Sequence, residues 1–287
     1  MSFAPVQPDS RRVERLLEWG NRELAPSSAS PRLDAEVLLA SVVGWPRSRV
    51  MAFGERTVPR GLAAQFRALI RRRAQGVPVA HLTGRKEFYS LQMRVSSATL
   101  VPRPETELLV DWLLECTTPV DTARILDLGT GCGAIALAVK RQRPKARVVA
   151  VDSSEAALGV ARNNGRRLGL EVEWVLSNWL DALRGRRFDF IVSNPPYVER
   201  GDPQLRAGDL RHEPEAALDG GVDGLDAIRE IAAGAPGVLQ RGGALLVEHG
   251  HAQAVAVGRV LHANGLRSIE TRRDLAGRER VTRGVLA

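Results

Sequence analysis

Asn194, Pro195, Pro196 and Tyr197 close an apolar run, FDFIVSNPPYVER, that occupies residues 188–200. Proline fixes its own φ and holds the residue before it extended. The double proline therefore forms a stiff platform with two acceptors, the Asn194 side-chain oxygen and the Pro195 carbonyl. Two acceptors at a fixed separation suit both hydrogens of one planar NH2 group, and Tyr197 adds an aromatic wall for a flat substrate. An amide or aromatic NH2 is a poor nucleophile because its lone pair is delocalised. Gripping both hydrogens localises charge on the nitrogen as it becomes tetrahedral, so positioning and electrostatics supply the acceleration. No strong base is required, since the proton can leave after the nitrogen has become positive. Asn194, Pro195, Pro196 and Tyr197 are the expected catalytic residues. The plainer reading, prolines that merely end a strand, loses ground because a ligand loop precedes them in the same alternating pattern.

That loop is LDLGTGCGAIALA, residues 126–138: a strand, then Gly129, Gly131 and Gly133, then a helix. Glycines allow a sharp turn and a close approach to a ligand at the helix N-terminus. Asp152 ends the next strand, 19 residues beyond Gly133, where a carboxylate can accept both hydroxyls of a ribose. The third glycine comes too early for a dinucleotide fingerprint. Asp127, just ahead of the loop, repels a pyrophosphate but suits an ammonium and a nearby sulfonium. The pattern therefore favours S-adenosylmethionine over a nicotinamide cofactor, and the transferred group is a methyl.

The elements that must position these residues follow from periodicity. From residue 104 onward, strand and helix signals alternate: ARILDLG, GAIALAVKRQ, ARVVAVD, SEAALGVARNNGRRLG, EVEWVLS, FDFIVS, GLDAIREIAAGAPGVL, GGALLVEHG and HAQAVAVGRVLHANG, then two final strands in LRSIETRRD and RERVTRGVL. Such alternation implies an α/β domain with a mostly parallel sheet covered on both faces. The first eighty residues read instead as short helices. Val13, Leu16, Leu17 and Leu24 share one stripe, with Asp9 or Ser10 as N-cap; Leu62, Phe66, Leu69 and Ile70 share another. Pro26, Pro31, Pro46 and Pro59 suit helix starts. EFYSLQMRV, with Phe88, Leu91, Met93 and Val95 apolar, reads as a hairpin between the two regions. The expected domains are a helical recognition domain at 1–80, a hairpin linker at 81–101 and a transfer domain at 102–287.

The 287 residues suffice for these domains, and their charge is uneven. The first hundred residues hold 16 Lys/Arg against 8 Asp/Glu, the rest 25 against 25, so the excess of +8 lies wholly at one end. A one-sided basic region favours an acidic partner, and Arg71, Arg72 and Arg73 are the candidate docking charges. No apolar run is long enough to span a bilayer, and MSFAPVQPDSRR carries no signal-peptide core. Cys116 and Cys132 lack metal-type spacing, so no metal and a reducing cytoplasmic location are expected.

The chain resembles the bacterial peptide chain release factor glutamine methyltransferases, the HemK-type family. The likeness rests on LDAEVLLA (33–40), PVAHLTGRKEF (78–88), VPRPETELLV (101–110), ILDLGTGCGAIALA, VSNPPYV, HEPEAAL (212–218), LLVEHG (245–250) and the closing ERVTRG. PRPETE together with NPPY is the most specific combination. The resemblance implies a Rossmann-like class I methyltransferase with a seven-stranded sheet whose last strand is antiparallel, a helical N-terminal domain and a β-hairpin linker. It implies methylation of the glutamine amide in the GGQ loop of peptide chain release factors 1 and 2; a monomer and no direct nucleic-acid contact are further expectations. It assigns Gly129, Thr130, Gly131, Cys132 and Gly133 to the methionine end of the cofactor, Asp152 to its ribose, and Asn178 and Trp179 to its adenine. Asn194 lies near the cofactor as well as the substrate. Arg103 and Glu105 are expected at the mouth of the substrate site. Two departures stand out: Asn178 where the family commonly has Asp, and Cys132 where Thr or Ser is frequent.

Other readings compete. Arg103, Glu105 and Glu107 equally suit a capping arrangement, because Pro104 fits the first turn of a helix. Glu248 and His249 end another strand on the ligand edge, and a lone histidine is more often structural than catalytic. A ribosomal-protein glutamine methyltransferase shares NPPY but typically carries PRSP at Pro102–Glu105. A nucleic-acid amine methyltransferase can use the same tetrapeptide, yet the N-terminal arginines lack an aromatic ladder or an RNA-module signature. The intact NPPY and glycine loop disfavour a non-catalytic binding protein.

Overall fold

The computed structural model describes residues 11–120, 122–206 and 208–287. They form two compact units, one running to Gly84 and taking in the segment that ends at His212, the other holding Arg85–Arg206 and Glu213–Ala287.

The first unit is helical: α1 (Val13–Leu24), α2 (Pro31–Val43), α3 (Arg47–Ala52), α4 (Arg60–Ala74) and α5 (Val79–Thr83). Pro31 opens α2, while Pro46 and Pro59 stand at the N-caps of α3 and α4; Pro26 lies in a turn and starts no helix. The N-cap candidates Asp9 and Ser10 fall outside the described residues, and Arg12 is the observed cap of α1. Val13, Leu16, Leu17 and Leu24 meet Leu38, Leu39, Phe66 and Ile70 in a single core, each fully buried large side chain contributing about 1.5–3 kcal/mol. A Cβ on Gly20 would stand 3.1 Å from Ala35, Phe66 and Ile70, so only glycine lets α1 approach α2 and α4 this closely.

This unit corrects one expectation. Arg73 is not a free surface charge: it is 7% exposed, its Nε donates to Asp34 at 2.7 Å, and it also pairs with Asp209. Burial opposes the charge, but the hydrogen bonds that Arg73 donates to Asp209 and Asp34 outweigh it and raise its pKa. Arg71 and Arg72 remain exposed.

The second unit begins with the hairpin β1 (Arg85–Phe88) and β2 (Leu91–Arg94), turned by Tyr89 and Ser90 at φ 50° and 59°. A short 3-10 turn, Pro104–Thr106, leads into α6 (Glu107–Glu115), as the capping reading required. There follow β3 (Arg124–Leu128), α7 (Ala134–Gln142), β4 (Arg147–Asp152), α8 (Glu155–Leu168), β5 (Glu173–Leu176), β6 (Phe188–Ser193), α9 (Asp226–Val238), β7 (Leu239–Glu248), α10 (Ala254–Ala263), β8 (Leu266–Arg273) and β9 (Glu279–Leu286).

The seven strands lie in the order β5-β4-β3-β6-β7-β9-β8, with β9 antiparallel to both its neighbours. Ile125, Leu126, Asp127 and Leu128 are all buried, as expected for a central parallel strand covered on both faces. α9 and α10 pack on the sheet through Ile228, Ile231, Ala235, Val257 and Leu261. The chain winds outward from β3 through β4 to β5, then restarts on the other side at β6. That reversal creates the crevice in which open α/β sheets bind ligands.

Candidate active site

Strand register brings the site together. Leu128 pairs with Val151 and Ser193, and Ser193 with Val247. The next residues, Gly129, Asp152, Asn194 and Glu248, therefore emerge side by side at the carboxyl edge. Ser193 fastens the edge by donating from Oγ to the Leu128 carbonyl at 2.8 Å.

Gly129, Gly131 and Gly133 have φ of 69°, 57° and 84°. At Gly133 a Cβ would stand 3.0 Å from the Trp174 ring and 3.3 Å from Ala161, so both conformation and space demand glycine. Asp152 braces the loop from the neighbouring strand: Oδ2 accepts from Gly131 N at 2.8 Å and Oδ1 from Ser154 N at 2.9 Å. Each oxygen keeps a lone pair for a ligand.

Asp127 is completely buried, and its Oδ2 accepts from the Thr130 hydroxyl at 2.6 Å and from Ala136 N at 3.2 Å. It thereby ties the glycine loop to the first turn of α7. Burial pushes its pKa up to about 7, against the pull of those two hydrogen bonds. Its Oδ1 is buried without a hydrogen bond among the described residues, so an acceptor stands in reserve beside the loop.

Beyond β5, Asn178 Nδ2 donates to Glu230 Oε1 of α9 at 2.8 Å. Trp179 holds φ at 37°, an uncommon conformation for a bulky residue, and its ring lies over Gly129. With the nitrogen of Asn178 occupied, the oxygen is the end left for a ligand. The departure from Asp at this position therefore still leaves an oxygen acceptor.

At the platform, Asn194 Nδ2 donates to Thr106 Oγ1 at 3.0 Å. The Tyr197 hydroxyl donates to Glu248 Oε1 at 3.2 Å, while Glu248 Oε2 is buried without a hydrogen bond among the described residues. Burial raises Glu248 to about 7, and burial together with the Glu248 charge raises Tyr197 well above the usual phenol range. The Tyr197 carbonyl accepts from Gln253 Nε2 at 3.1 Å, while Val198 N donates to the Leu218 carbonyl and the Val198 carbonyl accepts from Gly220 N across the Val198–Asp219 bridge. The segment after the prolines is thus held on both sides.

One pocket of about 220 Å³ is lined by Gly129, Gly131, Asp152, Asn178, Trp179, Asn194 and Pro196, with Ala98–Leu100 and Pro214, Ala216 and Ala217 closing its sides. Seven of the sequence-selected residues therefore share one wall. Asp127, Thr130, Cys132 and Gly133 sit behind it and shape the loop; Pro195 and Tyr197 also lie off the lining. Arg103 pairs with the buried Glu213, whose other oxygen accepts from Val101 N at 2.9 Å, and Glu105 is exposed. His249 is buried between the Thr282 hydroxyl, 2.8 Å away, and the Gly250 carbonyl, and burial lowers its pKa. This is a structural histidine.

Four positions in the site escaped the sequence: Thr106, Asn164, Glu213 and Glu230. Asn164, fully buried in α8, accepts from Arg94 N and donates to the carbonyls of Arg94 and Cys132, so it pins the hairpin to the glycine loop. The only local signal was a polar residue on the apolar face of a helix.

Residues 15–84 match the PrmC N-terminal domain model and residues 104–210 the methyltransferase small domain model. The release factor glutamine methyltransferase of Pseudomonas aeruginosa is 51% identical over 260 residues, 90% of this chain and 94% of that protein. Its namesake from Xylella fastidiosa (strain Temecula1) is 48% identical over 254 residues, covering 88% and 92%. That of Escherichia coli is 45% identical over 259 residues, covering 90% and 93%. Among solved structures, a methyltransferase from Pyrococcus furiosus gives a TM-score of 0.53 at 17% identity over 76% of this chain and 96% of the other. A T. thermophilus ribosomal RNA methyltransferase gives 0.53 at 21% identity, over 71% and 50%. These two likenesses speak for the class I methyltransferase fold alone.

Proposed function

The chain belongs to the release factor glutamine methyltransferase family, and on that premise we propose how its pocket transfers a methyl group to the glutamine amide nitrogen in the GGQ loop of a release factor. S-adenosylmethionine, when bound, supplies the activated methyl. The residues fit it: Asp152 offers oxygens to a ribose, Asn178 an oxygen to an adenine amine, Trp179 an aromatic face, and the buried Asp127 Oδ1 a reserve of negative charge toward an ammonium.

Asn194 Oδ1 and the Pro195 carbonyl accept the two hydrogens of the glutamine NH2. The lone pair on nitrogen is then aimed along the line of displacement, and the grip tightens as that nitrogen gains positive charge. One N–H proton leaves afterwards to solvent, which restores a neutral amide. The observation that carries this reading is the Asn194–Thr106 bond, because it occupies the amide nitrogen and leaves the oxygen for the substrate.

The helical region at 1–80 serves as the recognition domain for the body of the factor, 81–101 as the connection, and 102–287 as the transfer domain. Arg103 and Glu105 border the entrance. The enzyme works in the cytoplasm as a monomer and needs no nucleic acid. The test is to incubate it with methyl-labelled cofactor and purified release factor, ribosomal proteins and nucleic acid, then locate the label by peptide mass. Label on the GGQ glutamine is expected; label confined to bases or to a ribosomal protein would reject the reading.

A further inference from the structure

The candidate active site occupies the carboxyl edge of the sheet, and the amino edge holds a second concavity. It measures about 720 Å³ and is lined by six cations, Arg124, Lys140, Lys145, Arg147, Arg186 and Arg187, against two carboxylates, Glu171 and Glu173. Residues 101–287 balance 25 Lys/Arg against 25 Asp/Glu, so the excess in this groove is local. Two of the six cations serve the fold. Lys140, in the last turn of α7, donates from Nζ to the carbonyls of Pro144 and Ala146 at 2.9 and 2.8 Å, as suits the negative end of a helix. Arg186 grips both oxygens of Glu173, at 2.6 and 2.8 Å. The side chains of Arg124, Lys145, Arg147 and Arg187 have no such partner among the described residues. Arg124 and Arg147 open adjacent strands at paired positions, and Arg187 stands just ahead of β6, on the other side of β3. Like charges side by side on neighbouring strands repel, and an anion laid across them would relieve this. With strands about 4.8 Å apart, the three form a row whose long side chains reach successive charges of one extended anion.

The rest of the groove narrows the kind of anion. Its apolar members are withdrawn: Ala146, Val148, Val149 and Phe188 are at most 4% exposed, and Val172 is half-buried. A protein partner is anchored by aromatic and aliphatic side chains at the centre of its interface, and this groove offers them little to pack on. A phosphate backbone needs only cations. The groove exposes no aromatic ring on which a base could stack, so recognition is indifferent to sequence. We propose that the amino edge of the sheet binds the phosphate backbone of single-stranded RNA through Arg124, Lys145, Arg147 and Arg187. The choice of RNA among phosphate chains rests on the release-factor reading above, which sets the enzyme among the components of translation; the groove itself does not depend on it. Methyl transfer needs no nucleic acid, and the groove lies roughly 17 Å from Gly129, the five residues of β3 at about 3.3 Å each. RNA held there tethers the enzyme without entering its pocket.

The test follows the fluorescence anisotropy of a labelled single-stranded RNA of about 12 nucleotides, titrated with the full-length enzyme from about 50 to 200 mM salt. Arg124→Gln/Arg147→Gln/Arg187→Gln is expected to bind at least ~10-fold more weakly at the lower salt. Its slope of log K against log salt should be shallower by about 2, for three phosphates at ~0.7 each. Arg22→Gln/Arg259→Gln/Arg278→Gln removes the same charge from exposed positions outside the groove and should stay within about twofold of wild type, because separated surface charges are screened. Equal losses in the two triple variants, or a wild type that does not bind the RNA, would overturn the proposal. So would poly-glutamate that displaces the RNA at equal charge and binds the groove variant less well, since the groove would then serve an acidic protein. Should the first variant unfold, Arg147→Glu/Arg187→Glu alters only exposed residues, and wild-type RNA affinity in it would equally overturn the proposal. A wild-type enzyme inert toward release factor would overturn the functional reading instead, while the anisotropy still decides whether the groove holds a phosphate chain.

Discussion

Glu230 Oε1 accepts a hydrogen bond from Asn178 Nδ2 at 2.8 Å, which leaves the amide oxygen as the end of Asn178 available in the proposed cofactor site. An Asp at 178 would set two carboxylates against each other. Asn178→Asp is therefore expected to weaken S-adenosylmethionine binding several-fold at low salt, with Asn178→Asp/Glu230→Gln regaining most of the loss. The pair is exposed, so the effect should shrink as salt screens it. Calorimetric titration of the three proteins checks this; unchanged affinity in the single variant would contradict it.

Glu248 makes the stability of the fold depend on pH. Its folded pKa, raised to about 7 by burial, exceeds the usual carboxylate value near 4, so the stabilising, protonated form is complete below about pH 4 and is lost as pH rises through about 7. Each such group adds a slope of up to about 1.4 kcal/mol per pH unit in that window, and the buried Asp127 contributes in the same direction. Arg280 favours the charged form and Glu105 opposes it; Tyr197 donates to it. Thermal melts from pH 5 to 8 should flatten in Glu248→Gln. Wild-type slopes in that variant would count against the assignment.

Neighbouring arginines on α4 should behave differently. Arg73→Glu places a carboxylate against Asp34 in a buried site and should destabilise the protein by roughly 3–5 kcal/mol or more. Arg71→Glu/Arg72→Glu should leave the melting temperature within a few degrees and weaken binding to full-length release factor. Melting curves and binding titrations on both proteins separate the two effects. Equal destabilisation, or unchanged binding by the double variant, would refute this division.

Much of this was legible in the sequence because it was encoded locally. Strand and helix periods, the glycine loop and NPPY each carry their information within a dozen residues, and parallel register then brings Gly129, Asp152 and Asn194 abreast. Thr106, Glu213 and Glu230 were invisible because their partners lie 88, 112 and 52 residues away. Periodicity holds no information at that range. Asp127 was read by its charge as facing a ligand, whereas its Oδ2 serves Thr130 and Ala136. Arg73 was read as surface because it follows two exposed arginines. Yet it stands seven residues beyond Phe66 and three beyond Ile70, on the apolar face of α4, and that spacing was the signal to heed.

The account as a whole turns on Asn194, and single-turnover methyl transfer by Asn194→Ala with purified release factor tests it most directly. Cofactor affinity should stay within about threefold of wild type while the transfer rate falls by at least about 100-fold. A variant that binds cofactor normally and transfers methyl at a near-native rate would contradict the account.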